Sequence, residues 1–129
     1  MAIFDTSVLI YALAGEREAQ DALERYANEG LATTVINKYE LLKGRSIRTK
    51  VENSAIDGLI SNLFIRDLNE PAISKAASLF DELKSKGRTI DEFDILIAAI
   101  AIANDETLVV ADKHFDYIAY AKVVNIKQL

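Results

Sequence analysis

Hydrophobic positions along the chain recur with two different periods. Short runs rich in β-branched and aromatic residues stand at Ala2–Phe4, Leu31–Thr34, Phe64–Asp67, Thr107–Val110 and Val123–Ile126, and they read as strands. No hairpin turn joins one to the next. The stretches between them are long enough for the crossovers that parallel strands require, and they carry helical spacing. Ile56, Leu59, Ile60 and Leu63 fall at i, i+3, i+4 and i+7, a one-sided apolar stripe. Asn69 is placed to cap a helix that starts near Pro71, where a missing N–H costs nothing, and stops at Gly87. Thr89 and Glu92 have the spacing of a capping box, and the helix behind them, IDEFDILIAAIAIAND, is apolar all round in its middle. A helix of that kind has to lie between a sheet and other helices. The pattern therefore predicts an α/β protein, a three-layer α/β/α sandwich around a mainly parallel central sheet of about five short strands.

Composition narrows the function more than the fold. A single proline and the lack of any linker or repeat in 129 residues predict one domain, 1–129. No cysteine is present, which excludes thiol catalysis and thiolate-held metals. The N-terminal MAIFDTSVLI lacks the basic segment of a signal peptide, and the longest apolar run, Ile95 to Ala103, falls short of the roughly twenty residues a bilayer needs. A cytoplasmic protein without a membrane span is expected. The net charge of −5 argues against binding nucleic acid by bulk positive charge.

Candidate chemistry lies in the acids. Ligands of an open parallel sheet bind beyond the carboxyl ends of the strands, near the point where strand order reverses. Asp5 directly follows the first strand and Asp112 the fourth, so both fall on that edge. Asp91 and Asp94 share one face in the first turn of the buried helix, although the direction of a helix that follows another helix is left open. Glu40 flanks an apolar stripe of Val35, Tyr39 and Leu42. Each acid also has a plain role open to it: Asp5 and Asp112 as turn or cap residues, Asp91 and Asp94 as complements to a helix dipole, Glu40 as a surface acid. A functional reading needs their convergence.

Four segments in order, D-T-S-V-L-I, N-K-Y-E-L-L-K-G, I-D-E-F-D-I-L-I-A-A-I-A and L-V-V-A-D-K-H-F, together resemble the PIN-domain family, with spacing similar to its VapC-type toxins. The resemblance spans nearly the whole chain. It implies an acidic quartet of Asp5, Glu40, Asp94 and Asp112, with Asp5, Asp94 and Asp112 as direct or water-mediated metal ligands and Glu40 orienting water. Thr6 and Ser7 match the hydroxyls after the family's first acid, and Asp91 and Asp116 are auxiliary candidates. Where the family commonly has a Thr two residues before its last acid, this chain has Val110.

Clustered carboxylates repel one another, and a divalent cation resolves the repulsion; oxygen donors with no cysteine and no nearby histidine select Mg²⁺ or Mn²⁺ over zinc or copper. Metal-dependent hydrolysis of RNA, leaving a 5′-phosphate, is the implied reaction. The resemblance further implies a homodimer and a small antitoxin partner of the VapB type, a housekeeping RNA-processing nuclease and an inactive binding module being the alternatives. Five basic residues (Lys38, Lys43, Arg45, Arg48 and Lys50) against the single acid Glu40 form a strip that can hold an RNA backbone, or merely complement a helix end. His114, the only histidine, reads as a packing or surface residue outside the site. Haloacid dehalogenase-type phosphatases need a second Asp where this chain has Ser7, and phospho-receivers need paired acids near the first strand that are missing.

Overall fold

The computed structural model describes residues 1–118 and 120–127. Five parallel strands, β1 (Ala2–Phe4), β2 (Leu31–Thr34), β3 (Phe64–Arg66), β4 (Leu108–Val110) and β5 (Val123–Asn125), form one sheet in the order β3-β2-β1-β4-β5. Each expected strand is present, three of them a residue shorter at one end. The chain builds outward from β1 to β2 and β3, then returns to the other side of β1 as β4. Strand order therefore reverses between β1 and β4, beside Asp5 and Asp112.

Alternation along β1 divides the core into two layers, because successive side chains of a strand point to opposite faces. Ile3, with Leu108 and Val110 of β4, faces α5 (Glu70–Ser85) and α6 (Glu92–Ala103). Ala2 and Phe4, with Val109, face the opposite layer, where Val8, Leu9, Ala19 and Ile56 come from α1 (Thr6–Leu13), α2 (Arg17–Tyr26) and α4 (Lys50–Ser61). The three-layer sandwich is thus the observed architecture. Middle residues of α6, Ile97 to Ala101, are all fully buried, as its all-round apolar sequence demands. The crossover from β4 to β5 has no helix among its described residues; turns carry it instead.

Local signals account for most boundaries. Asn69 caps α5 through a 3.2 Å bond from the Ala72 amide, with Pro71 in the first turn. Gly87, at φ +69°, follows the last turn in a left-handed conformation that residues with a Cβ resist. The Thr89–Glu92 capping box does not form. Asp91 takes the cap position, its Oδ1 accepting from the Phe93 amide at 2.8 Å, so the helix starts two residues later than the box implies. In α3 (Val35–Leu42) the expected apolar face also needs correcting: Asn37 and Leu41 are the buried residues, and Tyr39 is 54% exposed.

Candidate active site

β1 ends at Phe4, Asp5 follows it directly, and α1 begins at Thr6. Although Asp5 occupies the N-cap position of α1, its side chain makes no capping bond to that helix. It turns instead into a buried polar network. Asn37, fully buried on α3, donates from Nδ2 to Asp5 Oδ1 at 3.0 Å and to Thr6 Oγ1 at 2.9 Å. Ser7 donates to the other carboxylate oxygen at 3.2 Å, and Thr6 donates to Glu40 Oε1 at 2.8 Å. Thr34, at the end of β2, locks Asn37 by donating to its Oδ1 at 2.7 Å while accepting from its amide, which closes a capping box on α3. Two adjacent strand ends and one helix start therefore hold Asp5, Thr6 and Glu40 in one hydrogen-bonded chain. Of these two hydroxyls, Ser7 contacts the Asp5 carboxylate and Thr6 contacts Glu40.

Asn37 was hidden in plain sight in N-K-Y-E. Its signal was its place on the face of Leu41 four residues on, where a polar residue facing the core has to find partners.

Asp94, in the first turn of α6, and Asp112, just beyond β4, reach the same edge. The direction of α6, open in the sequence, is now clear: its N-terminus lies at the carboxyl ends of β1 and β4. His114 lies between the two acids, with Nδ1 3.2 Å from Asp94 Oδ2 and 3.6 Å from Asp112 Oδ1. His114, expected at the surface or in packing, is exposed and lines the same cavity as these acids. Asp112 does hold its local turn, accepting from the His114 amide at 2.9 Å, so turn-making and site-lining coexist in one residue.

Asp5, Glu40, Asp94, Asp112 and His114 all line one open cavity of about 500 Å³, together with Thr6, Ser7, Lys43, Asp91 and Phe93. The convergence on which the functional reading depends is present. Asp116 is exposed and does not line the cavity. Val110 is fully buried in the core, so no hydroxyl stands at the position where the family commonly has one.

Electrostatics mark the cavity further. Burial pushes the Asp5 carboxyl up from 3.8 to about 6, and repulsion from Asp112 and Asp94 adds to this against the Thr6 amide and Asn37, which favour the charged form. Asp94 is likewise raised to about 6, by burial first and by Asp91 and Asp112, with His114 opposing. Two carboxyls held near neutrality beside a third are an arrangement that a divalent cation relieves, and every acidic donor is oxygen. Among the described residues no three acids or histidines stand close enough to grip an ion by themselves.

The basic strip divides. Lys43 alone of the five lines the cavity. Arg45 is ion-paired with Asp57, and Arg48 donates to the carbonyls of Leu41 at 2.6 Å and Lys43 at 2.8 Å, closing the end of α3. Lys38 is half-buried on α3 and Lys50 is exposed at the start of α4.

Residues 2–120 match the PIN domain family. The chain is 34% identical over 111 residues to the ribonuclease VapC2 of Rickettsia felis, covering 83% of each, and 30% identical over 118 residues to the ribonuclease VapC19 of Mycobacterium tuberculosis, covering 89% of this chain and 92% of that one. Its fold superimposes with a TM-score of 0.88, at 29% identity, on a chain in the crystal structure of the Rickettsia felis VapBC2 complex bound to a promoter DNA fragment, covering 96% of this chain and 97% of that one. The chain belongs to the PIN-domain family, in its VapC-type branch.

Proposed function

We propose that the protein is a metal-dependent endoribonuclease and the toxin component of a toxin–antitoxin pair. The observation that carries the nuclease reading is Asp5, whose carboxyl is raised to about 6 by burial first and then by Asp112 and Asp94, which line the same cavity. Asp5, Asp94 and Asp112 would hold Mg²⁺ or Mn²⁺, which when bound polarises a phosphodiester and lowers the pKa of a water. Asn37 and Ser7 fix both oxygens of Asp5, so this acid is oriented before any substrate arrives. Glu40, held by Thr6, keeps a carboxylate oxygen toward the cavity to orient the attacking water. Lys43 draws a phosphate to the mouth.

A small partner of the VapB type and a homodimer are supported by the relatives and by apolar residues left exposed on α1 and α5, Ile10, Leu13, Ile73 and Phe80. A monomeric mass in light scattering at tens of micromolar would remove the homodimer, and failure of the neighbouring gene product to co-purify would remove the antitoxin.

The test of activity uses purified protein, total cellular RNA and Mn²⁺. Fragments with 5′-phosphates are expected, and EDTA or Asp5→Asn should lower the rate by about two orders of magnitude or more, the loss of one fixed catalytic group. Undiminished cleavage in either arm overturns the assignment.

A further inference from the structure

Two aromatic surfaces flank the acidic cavity, and each is covered by a cation. On one side Tyr39 and Phe93 meet edge to face at 5.8 Å, and the Lys43 ammonium lies 5.5 Å from the Tyr39 ring centre. On the other, Tyr117 lines a second recess of about 320 Å³ together with Lys113 and Thr89, and the Arg88 guanidinium, outside that lining, lies only 3.9 Å from the Tyr117 ring centre. The two recesses adjoin, with Asp91, Asp94 and His114 lining both. Tyr39 is 54% exposed and Tyr117 53%, although rings of that size ordinarily hide more of their surface.

A cation over an aromatic ring is held by modest attraction at an exposed site. A phosphate offers the same cation a full negative charge, and a nucleobase offers the vacated ring a flat partner. We infer that Lys43–Tyr39 and Arg88–Tyr117 are two exchange clamps for single-stranded RNA: each cation swings onto a phosphate while an unpaired base stacks on the ring it leaves. The strand then crosses the acid cluster between two fixed points, which presents one phosphodiester to Asp5, Asp94 and Asp112. This deepens the nuclease reading and rests on it. It also accounts for how an acidic protein holds a polyanion: the binding surface is a pair of local clamps, and net charge is irrelevant to it. Stacking of this kind tolerates any base, so the clamps select unpaired RNA and not a sequence.

The experiment reads stacking directly. An oligo(A) 12-mer carrying 2-aminopurine is titrated with the Asp94→Asn protein, in which cleavage is blocked and phosphate repulsion reduced. Quenching of the fluorescent base is expected, with binding weakened about ten-fold or more by Tyr39→Ala or Tyr117→Ala and retained by Tyr39→Phe and Tyr117→Phe, in line with the cost of removing one stacking ring. Replacing the bases by abasic sites should weaken binding to the native rings, weaken it less in either single Ala variant and leave the variant carrying both Tyr39→Ala and Tyr117→Ala nearly unaffected, a coupling that loss of folding cannot mimic. A hairpin of the same length should bind weakly.

Absence of quenching, or equal affinity of the Ala variants, overturns the clamps. So does a change from dimer to monomer in Tyr39→Ala or Tyr117→Ala, which makes that ring a contact between protomers. If the wild type nevertheless cleaves cellular RNA in Mn²⁺, only the clamps fall; if it cleaves none, the nuclease reading falls and the clamps with it.

Discussion

Asn37 is the residue on which the site turns. Its amide satisfies Asp5 and Thr6 on one side and Thr34 on the other, all within the buried layer where an unpaired polar atom costs about 1–3 kcal/mol. Asn37→Ala removes these bonds together with half of the capping box of α3, so a loss of roughly 2 kcal/mol is expected in urea unfolding. The chemistry should respond separately. Donation from Asn37 favours the charged form of Asp5, and without it the Asp5 carboxyl rises further above about 6. The acidic limb of the pH–rate profile should therefore move to higher pH in the variant. A limb that stays in place would mean that Asn37 supports the fold alone. Asp5 itself was legible in the sequence because a strand end is visible in the hydrophobic pattern. Asn37 was not, since a periodicity traced through apolar residues alone passes over the polar residue buried among them and selects Tyr39 in its stead.

At the scale of elements, strands and caps were legible where one signal acted alone. Asn69 with Pro71 had no competitor and starts α5 as expected. Before α6, Thr89 and Asp91 compete for the cap, and Asp91 wins with a 2.8 Å bond to the Phe93 amide. That leaves Asp94 in the first turn, aimed at the cavity. The basic strip shows the same limit. A run of cations announces charge, but which of them face a ligand depends on the turn after α3, where Gly44 takes φ +84° and Arg48 folds back on the helix end. Arg48→Ala should lower stability by about 1 kcal/mol through two lost charge-assisted bonds, measured by thermal unfolding, and should leave RNA affinity nearly unchanged. Lys43→Ala should do the reverse, weakening RNA binding several-fold and flattening the dependence of log affinity on log salt by about 0.7, the value of one phosphate contact on a single strand. Equal effects on affinity from both would return Arg48 to the binding surface.

The whole molecule places its chemistry at the reversal of strand order, and it does so at a cost in stability. Expecting ligands at the carboxyl edge identified Asp5 and Asp112 from order alone, but the return of α6 to that edge is a property of how α5 and α6 pack, and no local signal carries it. The result is a fold whose acids oppose it. A carboxyl whose folded pKa is raised costs nothing below its unfolded value near 3.8; the cost grows as pH climbs to about 6 and is complete above that. For Asp94, half-buried and so partly screened by solvent, the raised value corresponds to roughly 1–2 kcal/mol. Without metal, Asp94→Asn is therefore expected to melt several degrees above the wild type at pH 8, the difference shrinking toward pH 4.5 as the native carboxyl takes up its proton. Added Mn²⁺ should reverse the order, because an ion present at a hundred times its Kd contributes about 2.7 kcal/mol to the protein that binds it. The variant, lacking one ligand, should gain much less. Thermal unfolding of both proteins in EDTA and in Mn²⁺ decides the matter. If Asp94→Asn melts below the wild type in EDTA at pH 8 and responds to Mn²⁺ as the wild type does, then Asp94 serves the helix start and its His114 contact, and the acids do not share an ion.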